Sequence, residues 1–238
     1  HASSTIAASP QWRGTSGVRL VGAANTCLIC DVMSFVDSLP AAITTRFAVF
    51  DWRNGIAILQ AVHPEEWREV SSVLAGFDLR WSDISKKGKG NKSEMAGILD
   101  SGLYRFGWVE KQFKTEIVVD ESRRATPTHE VDCYKNRIAL EVEWNNKDPF
   151  FDRDLNNFRL LFDLGAIDVG IIVTRTTELQ RFLNGKFADF GKQPGTYGSS
   201  TTHADKLYPR IQGGGAGGCP VVVFSLKPEA YVDDRPVD

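Results

Sequence analysis

The stretch 129–175 constrains the fold of this chain most, because it predicts two strands, a helix and a third strand in immediate succession. The segment HEVDCYKNRIALEVEW is typical of two strands joined by a turn at Lys135-Asn136. The segment DPFFDRDLNNFRLLFDLG places apolar residues at helical spacing and ends at Gly165. IDVGIIVTR is a nearly continuous apolar run, as expected for a buried central strand. This order predicts an α/β core with a mixed central β-sheet flanked by helices.

Shorter signals predict the elements around this core. TRFAVFDW and IAILQAV flank Arg53-Asn54-Gly55 and predict a β-hairpin, because Asn-Gly favours tight turns. Residues 28–44 predict a short helix. PEEWREVSSVLAGF predicts a second helix, TTELQRFLNG a short helix that ends at Gly185, GGGAGG a flexible loop, and PVVVFSL a last strand.

The composition excludes several classes of protein. Hydrophobic residues make up 42% and charged residues 24% of the chain, as in ordinary globular proteins. No apolar run approaches the ~20 residues of a membrane helix and no secretory segment is visible, so we expect no membrane partner and a cytoplasmic location. The net charge of −2 still allows a DNA partner, since lysine and arginine can cluster in one cleft.

Cysteine and lysine patterns leave alternatives open. The four cysteines are too few for a disulfide framework, and the Cys27-Cys30 pair lacks the second pair of a structural zinc site, which favours buried thiols. Residues 1 to about 25 are rich in small residues and lack a period, which indicates a loosely structured lead. Residues 86–93 form a basic, glycine-containing segment that is either a solvated loop or an arm that contacts phosphates.

Three acidic residues in the predicted hairpin, Asp132, Glu141 and Glu143, are candidates for chemistry. Glu141 and Glu143 lie on the same side of one strand, about 7 Å apart along the backbone, and Asp132 lies across the turn from them. Converging carboxylates raise one another's pKa unless a cation neutralises them, and hard oxygen ligands suit Mg²⁺, with Mn²⁺ as a substitute. Such an ion serves phosphodiester hydrolysis because it polarises a phosphoryl oxygen. The alternative is a solvated strand face, where acids are common.

Asn145, Asn146 and Lys147 follow the acids directly and favour DNA binding. Asparagine side chains can read adenine edges, and lysine can contact phosphate. An inverting glycosidase is a rival hypothesis, since two strand carboxylates at this separation fit its acid and base. Only Trp144 is available nearby for stacking on a sugar, and the lysine-bearing surroundings argue against this rival.

Several motifs together resemble a known family. They are D-x8-E-V-E-W-N-N followed by Pro-Phe, the strand VGIIVTR, and above all STTHADKLYPR. The run from about Pro64 to Arg210 resembles the BglII-type restriction endonucleases, a branch of the PD-(D/E)XK nuclease superfamily. The resemblance implies a restriction-endonuclease-like core and a Mg²⁺-dependent enzyme that acts as a homodimer on double-stranded DNA at a palindromic site.

The resemblance also implies roles for individual residues. Asp132 and Glu141 would be the catalytic and metal-binding acids, with the Val142 carbonyl oxygen as the third ligand. Glu143 stands where the superfamily usually has lysine, so it would accept a proton from the nucleophilic water or hold a second metal. The residues expected to approach DNA are Asn145, Asn146, Lys147, and a loop along the groove that holds Thr201, Thr202, His203, Asp205 and Lys206, with Tyr208 and Arg210 near its end. The alternative for the last group is an ordinary polar surface loop.

The predicted organisation has two parts. Residues 1–60 form an N-terminal extension made of the loose lead, a short helix and the start of the hairpin. Residues 61–238 form the restriction-endonuclease-like catalytic and DNA-binding domain. The alternative function is a catalytically inactive, sequence-specific DNA-binding protein on a nuclease fold, in which Glu143 reflects loss of the active site.

Overall fold

The computed structural model describes residues 35–85, 93–189, 197–198 and 200–236. In chain order its elements are α1 (Ala41–Arg46), β1 (Phe47–Trp52), α2 (Gly55–Val62), α3 (Pro64–Ala75), β2 (Leu79–Arg80), α4 (Trp81–Ser85), α5 (Glu94–Tyr104), β3 (Val109–Val119), β4 (Ser122–Lys135), β5 (Ile138–Val142), α6 (Pro149–Asp163), β6 (Val169–Arg175), α7 (Thr177–Asp189), α8 (Ala204–Gln212), β7 (Val221–Leu226) and β8 (Tyr231–Val232), with 3-10 helices at Phe35–Ser38 and Pro228–Ala230. The predicted loose lead, the Cys27-Cys30 pair and the basic segment 86–92 lie outside the described residues.

A six-stranded mixed sheet in the order β1-β7-β6-β5-β4-β3 forms the centre of the fold. Strands β5, β6 and β7 are parallel, whereas β1, β4 and β3 join antiparallel to their neighbours. Every residue of β5, β6 and β7 is buried, because helices cover both faces of these strands. The predicted α/β class with a mixed sheet is confirmed. A separate pair, β2 and β8, is parallel.

Alternate residues of the central strands face two different hydrophobic cores. Leu140 and Ile171 belong to the core that contains α3 and α5, while Ala139 and Ile172 belong to the core that contains α6 and α8. This alternation is the two-residue period of a strand. Asp132, on β4, and Glu141, on β5, therefore lie at the end of the β4–β5 pairing, beside α6.

The predicted hairpin over residues 45–62 is wrong. Strand β1 forms as expected, but IAILQAV is helix α2. Arg53 and Asn54 both have positive φ, and Asp51 Oδ1 accepts a hydrogen bond from the Ile56 N–H at 3.1 Å, which caps the helix start. Ile56 and Leu59, three residues apart, are buried. Tertiary burial at helical spacing overrides the β-rich composition of this segment.

The turn of the central hairpin lies one residue later than predicted. Lys135 pairs with Ile138, so the turn residues are Asn136 and Arg137, both with positive φ. That conformation is typical of the two-residue turns that match the twist of a hairpin. Strand β3, which pairs with β4 through most of its length, was absent from the prediction.

The predicted helices are mostly confirmed. Helix α3 begins at Pro64 and ends before Gly76, and α6 ends before Gly165, whose φ is +67°. Helix α7 continues past Gly185 to Asp189, which corrects its predicted end. Within its described part, the segment 28–44 holds the 3-10 helix Phe35–Ser38 and the beginning of α1 at Ala41.

The glycine run before β7 is a packed turn rather than the predicted flexible loop. The N–H groups of Gly214 and Gly215 donate to carbonyls of α8 at 2.9 Å each, and Ala216 is fully buried. A Cβ at Gly215 would lie 2.9 Å from the Arg210 carbonyl oxygen, so this close backbone approach requires glycine. The run therefore connects α8 to β7 tightly.

The predicted domain boundary between residues 60 and 61 stays a prediction. Strand β1, which precedes it, pairs with β7 from Phe47–Leu226 to Trp52–Val221. The central sheet therefore includes residues on both sides of that boundary. Every helix in the described part of the chain is too short or too polar to cross a membrane.

Candidate active site

The β4–β5 hairpin brings two of the predicted acids together. Cys133 pairs with Leu140, so Asp132 and Glu141 lie opposite each other one step beyond. The backbone N–H of Asp132 donates to Glu141 Oε2 at 3.3 Å, and the N–H of Val142 donates to Asp132 Oδ2 at 3.1 Å. Each carboxylate binds the backbone of the other strand, which fixes both acids at the end of the ladder.

Glu141 has a buried carboxyl group in which one oxygen has no hydrogen-bond partner among the described residues. The residue is 1% exposed, and its Oε1 has no hydrogen-bond partner among the described residues. Burial raises its pKa well above the ordinary value, and the charges of Asp154 and Asp132 raise it further. A cation bound here would supply both the missing positive charge and a partner for the orphaned oxygen.

Glu143 follows the last residue of β5, and its carboxyl faces α6 and the loop before it. Its backbone N–H donates to the Val173 carbonyl at 2.9 Å. Asn146 Nδ2 donates to Glu143 Oε2 at 2.8 Å, and Arg153 lies 3.2 Å from Oε1. Burial first, and then the charge of Asp154, raises the pKa of Glu143 to about 9. The group is therefore protonated at neutral pH in the absence of a cation.

Asp154 of α6 completes the group of acids, and the sequence-based prediction missed it. It is fully buried, shares a hydrogen bond with Glu143, and lies 2.8 Å from Arg153. Burial raises its pKa to about 6 against the lowering influence of Arg153. The signal was present in the helical period, because Asp154 falls between Phe151 and Phe158 on the apolar stripe. An acid at such a position requires a partner or a function.

Asn157 and His129 extend the polar surface beside these acids. Asn157 is buried, donates from Nδ2 to the His129 carbonyl at 3.2 Å, and leaves its Oδ1 without a partner in the described structure. Burial lowers the pKa of His129, and the charge of Arg153 lowers it further. His129 is therefore neutral near pH 7.

The donor set fits a hard divalent cation. Within the described ranges, no three His, Cys, Asp or Glu side chains are grouped so as to hold a metal ion by themselves. The predicted set needs only two carboxylates, of Asp132 and Glu141, with the carbonyl of Val142, and leaves the other positions to water as Mg²⁺ prefers. The orphaned Glu141 Oε1 is the observation that favours this fit. The ligand assignment stays a prediction.

The two segments predicted to approach DNA meet beside the acids. Lys147 and Thr201 form an antiparallel bridge, and the N–H of Thr202 donates to the Asn146 carbonyl at 2.9 Å. Asn145 and Lys147 are exposed, whereas Asn146 is half-buried because its side chain points toward the acids. The structure thus joins residues that are far apart in the sequence into one surface.

Residues 201–203, the second of these segments, are held in place by contacts with neighbouring side chains. Arg175 donates to Thr201 Oγ1 at 2.6 Å, and Thr202 is fully buried. His203 is buried, with Nδ1 at 3.2 Å from Thr177 Oγ1, and burial lowers its pKa. In this conformation the side chains of Thr202 and His203 support the segment instead of facing solvent.

Asp205 and Tyr208 lie on α8, where the sequence predicted a polar loop. Asp205 is exposed and accepts a hydrogen bond from Thr177 Oγ1 at 2.6 Å. Tyr208 turns toward the sheet, with its hydroxyl 3.0 Å from Ser225 Oγ and its ring stacked on Phe50. The loop prediction is wrong because Leu207 and Ile211, at helical spacing, pack into the core.

Lys206 and Arg210 are the cations of α8, and two acids at the start of α6 neutralise them: Asp148, which precedes the helix, and Asp152 in its first turn. Lys206 Nζ lies 3.2 Å from Asp148 Oδ2, and Arg210 Nε donates to Asp152 Oδ1 at 2.9 Å. Both cations are partly exposed. A phosphate would compete with these carboxylates for the same donors. The DNA-contact roles of all ten predicted residues stay predictions.

The fold and the position of the acids define the class of this protein. A mixed central sheet flanked by helices, with acids at the end of a central hairpin, is a restriction-endonuclease-like fold. The family model described as restriction endonuclease BglII/BglIII matches residues 47–226, well over half of the chain. The chain belongs to the BglII/BglIII restriction endonuclease family. The match begins at β1, earlier than the resemblance predicted.

Family membership settles the class of reaction. The chain is a type II restriction endonuclease, a site-specific deoxyribonuclease, which confirms the predicted enzyme class and rules out the glycosidase. Enzymes of this kind bind double-stranded DNA and generally need a divalent metal ion. A comparison with curated proteins gave no significant match.

Proposed function

We propose that this restriction endonuclease works as a Mg²⁺-dependent homodimer that hydrolyses one phosphodiester bond in each strand of DNA at a short palindromic site. The observation that carries the proposal is the pairing of Asp132 with Glu141, in which a buried carboxyl oxygen of Glu141 lacks a partner among the described residues. Mn²⁺ substitutes for Mg²⁺, because both are hard cations that accept carboxylate ligands. Since a restriction enzyme meets its DNA inside the cell, we place it in the cytoplasm of a bacterial or archaeal cell.

Asp132, Glu141 and the Val142 carbonyl would hold the cation. The Val142 N–H donates to Asp132, and in a strand the carbonyl of a residue lies on the same edge as its N–H. All three oxygen donors therefore belong to the β4 side of β5. When bound, the cation would polarise a phosphoryl oxygen of the substrate.

Glu143 would connect the acids to residues 145–147, which are proposed to contact DNA. Its Oε2 accepts from Asn146, and its Oε1 contacts Arg153. Both oxygens are engaged and the carboxyl is protonated, which favours a positioning role over that of a general base in the cation-free state. A substitution that removes the acceptor oxygen of Glu143 would release Asn146, which supports one half of the DNA surface.

DNA contacts would come from the joined segments and from α8. Exposed Asn145 and Lys147 would approach base edges and phosphates, with Asn146 beside them. Thr201, Thr202 and His203 would keep their own segment in register with residues 145–147. Asp205, Lys206, Tyr208 and Arg210 would follow the backbone of the DNA, with both cations exchanging their acid partners for phosphate.

A two-fold symmetric dimer would explain a palindromic site, because each subunit would read one half. The catalytic and DNA-binding domain is proposed to cover residues 61–238, with residues 1–60 as an extension. A gradient ultracentrifugation experiment with and without DNA tests the dimer independently of cleavage.

Digestion of an unmethylated plasmid with Mg²⁺ and with EDTA tests the activity. Discrete bands that appear only with Mg²⁺ are expected, and sequencing of their ends gives the site. Asp132→Asn should abolish cutting while DNA affinity in Ca²⁺ stays within a few-fold. Asp163→Asn, an exposed acid at the far end of α6, is the matched control and should cut normally. If Asp132→Asn cuts like the control, the proposed ligand set is wrong.

A further inference from the structure

The carboxyl cluster, defined as Asp132, Glu141, Glu143 and Asp154, gathers four acidic side chains at one place beside α6. Glu141, Glu143 and Asp154 are each at most 2% exposed. A DNA phosphate would bring further negative charge to this place. A cationic side chain at this place would stabilise the charge of the phosphate, and β5 itself carries acids here.

Arg153 is the cation that the structure places against the cluster. Its NH2 lies 3.2 Å from Glu143 Oε1 and 2.8 Å from Asp154 Oδ1, and its Nε donates to Asp154 at 2.9 Å. The guanidinium also lies over the ring of Phe150, 4.3 Å from its centroid. Two carboxyls and one ring thus fix the orientation of the guanidinium plane.

Arg153 also reaches the open side of the site. Its side chain is 33% exposed, whereas that of Asp154 behind it is fully buried. The charge of Arg153 lowers the pKa of His129, and the charge of Asp132 raises it, so both groups act on the same region. Arg153 therefore stands between the buried acids and the side from which DNA would approach.

We propose that Arg153 contacts the scissile phosphate and stabilises the negative charge that develops on it, with Glu143 and Asp154 as its positioning residues. The inference rests on the proposed function. In the hydrolysis a water oxygen bonds to phosphorus, the bond to the leaving oxygen breaks, and a water proton passes to that oxygen, so Arg153 itself transfers nothing. Its forked donors suit two phosphate oxygens at once.

The test compares Arg153→Met and Arg153→Lys with Arg159→Met, an exposed arginine of the same helix. Single-turnover cleavage in Mg²⁺, DNA affinity in Ca²⁺ and thermal stability are measured for each. Arg153→Met should cleave about 10²- to 10³-fold more slowly, with an affinity within about five-fold of the unsubstituted protein. Arg153→Lys keeps a charge near both carboxyls but lacks the forked donors, so it should recover about tenfold of that loss and stay at least about tenfold slower than the unsubstituted protein. Arg159→Met should behave normally.

The outcomes separate this inference from the proposed function. If neither the unsubstituted protein nor Arg159→Met cleaves DNA, the proposed function fails first. If both cleave and Arg153→Met cleaves equally fast, the inference about Arg153 alone is wrong. If Arg153→Met is unfolded, the Arg153→Lys variant decides the question. The inference is overturned if Arg153→Lys has normal stability and cleaves as fast as the unsubstituted protein. An equal loss of affinity and rate in both variants would assign Arg153 to DNA docking instead.

Discussion

Glu143→Gln should make the protein more stable at alkaline pH. The carboxyl of Glu143 has a pKa of about 9 in the folded chain against 4.5 for an ordinary glutamate. Between these values the folded chain keeps a proton that the unfolded chain has released. The free energy of unfolding therefore falls as the pH rises through this window, and this contribution is fully recovered below pH 4.5. Glutamine does not titrate and so escapes the loss.

The size of the effect follows from the same values. At pH 8 the unfolded chain gains about 5 kcal/mol at most from ionising Glu143, because each pH unit above 4.5 corresponds to about 1.4 kcal/mol. Glutamine keeps a carbonyl that accepts from Asn146 and an amide that can donate to Asp154, but the amide takes the place of Oε1 and loses the hydrogen bond from Arg153, which offsets part of the gain. We expect a gain of about 2 to 5 kcal/mol, or roughly 5 to 15 °C in the midpoint of thermal unfolding.

Thermal and urea unfolding from pH 5 to 8.5 measure this difference, in EDTA so that no cation neutralises the cluster. The gain of Glu143→Gln should grow with pH and be smallest at pH 5. Glu110→Gln, an exposed glutamate on β3, is the control and should show a small change that does not vary with pH. A variant that is less stable than the unsubstituted protein at pH 8, or a difference that stays constant with pH, would refute the reasoning.

Three other predictions follow from the packing and the DNA surface. Gly170→Ala would overlap the ring of Phe158 and should lower the free energy of unfolding by about 1–3 kcal/mol, measured in urea, whereas Gly185→Ala, with open space around it, should not. Arg175→Met removes the donor to Thr201 Oγ1 and should weaken cognate more than non-cognate DNA binding in Ca²⁺, by about tenfold; equal losses on both DNAs would contradict this. Lys147→Ala should reduce the slope of log affinity against log salt by about one, and an unchanged slope would exclude a phosphate contact.

The catalytic hairpin shows where sequence reasoning succeeds. Asp132 and Glu141 could be predicted to lie near each other across the turn because a short turn and the two-residue strand period are local properties. Their exact register came from the structure, since the turn lies one residue later than predicted. The buried strand β6 and the apolar stripe of α6 were equally readable, since continuous or 3.6-residue hydrophobic patterns directly reflect burial. These elements sufficed to predict the α/β class.

The segments 56–62 and 204–212 show where sequence reasoning fails. Both became helices, although one is rich in β-forming residues and the other in polar ones. The deciding contacts are tertiary or lie outside the segment: the Asp51 cap in the first case and burial of Leu207 and Ile211 in the second. Local composition does not contain these partners.

The sequence by itself determined the order of the core elements, the pair of acids in the β4–β5 hairpin, and the motifs that identify the family. Only the tertiary structure decided which groups surround those acids. Asp154 and Arg153 reach Glu143 because α6 packs on the sheet beside the end of β5, and Lys147 meets Thr201 through a bridge across more than fifty positions of chain. Charges and pKa values depend on such distances and on burial, which sequence periodicity does not specify.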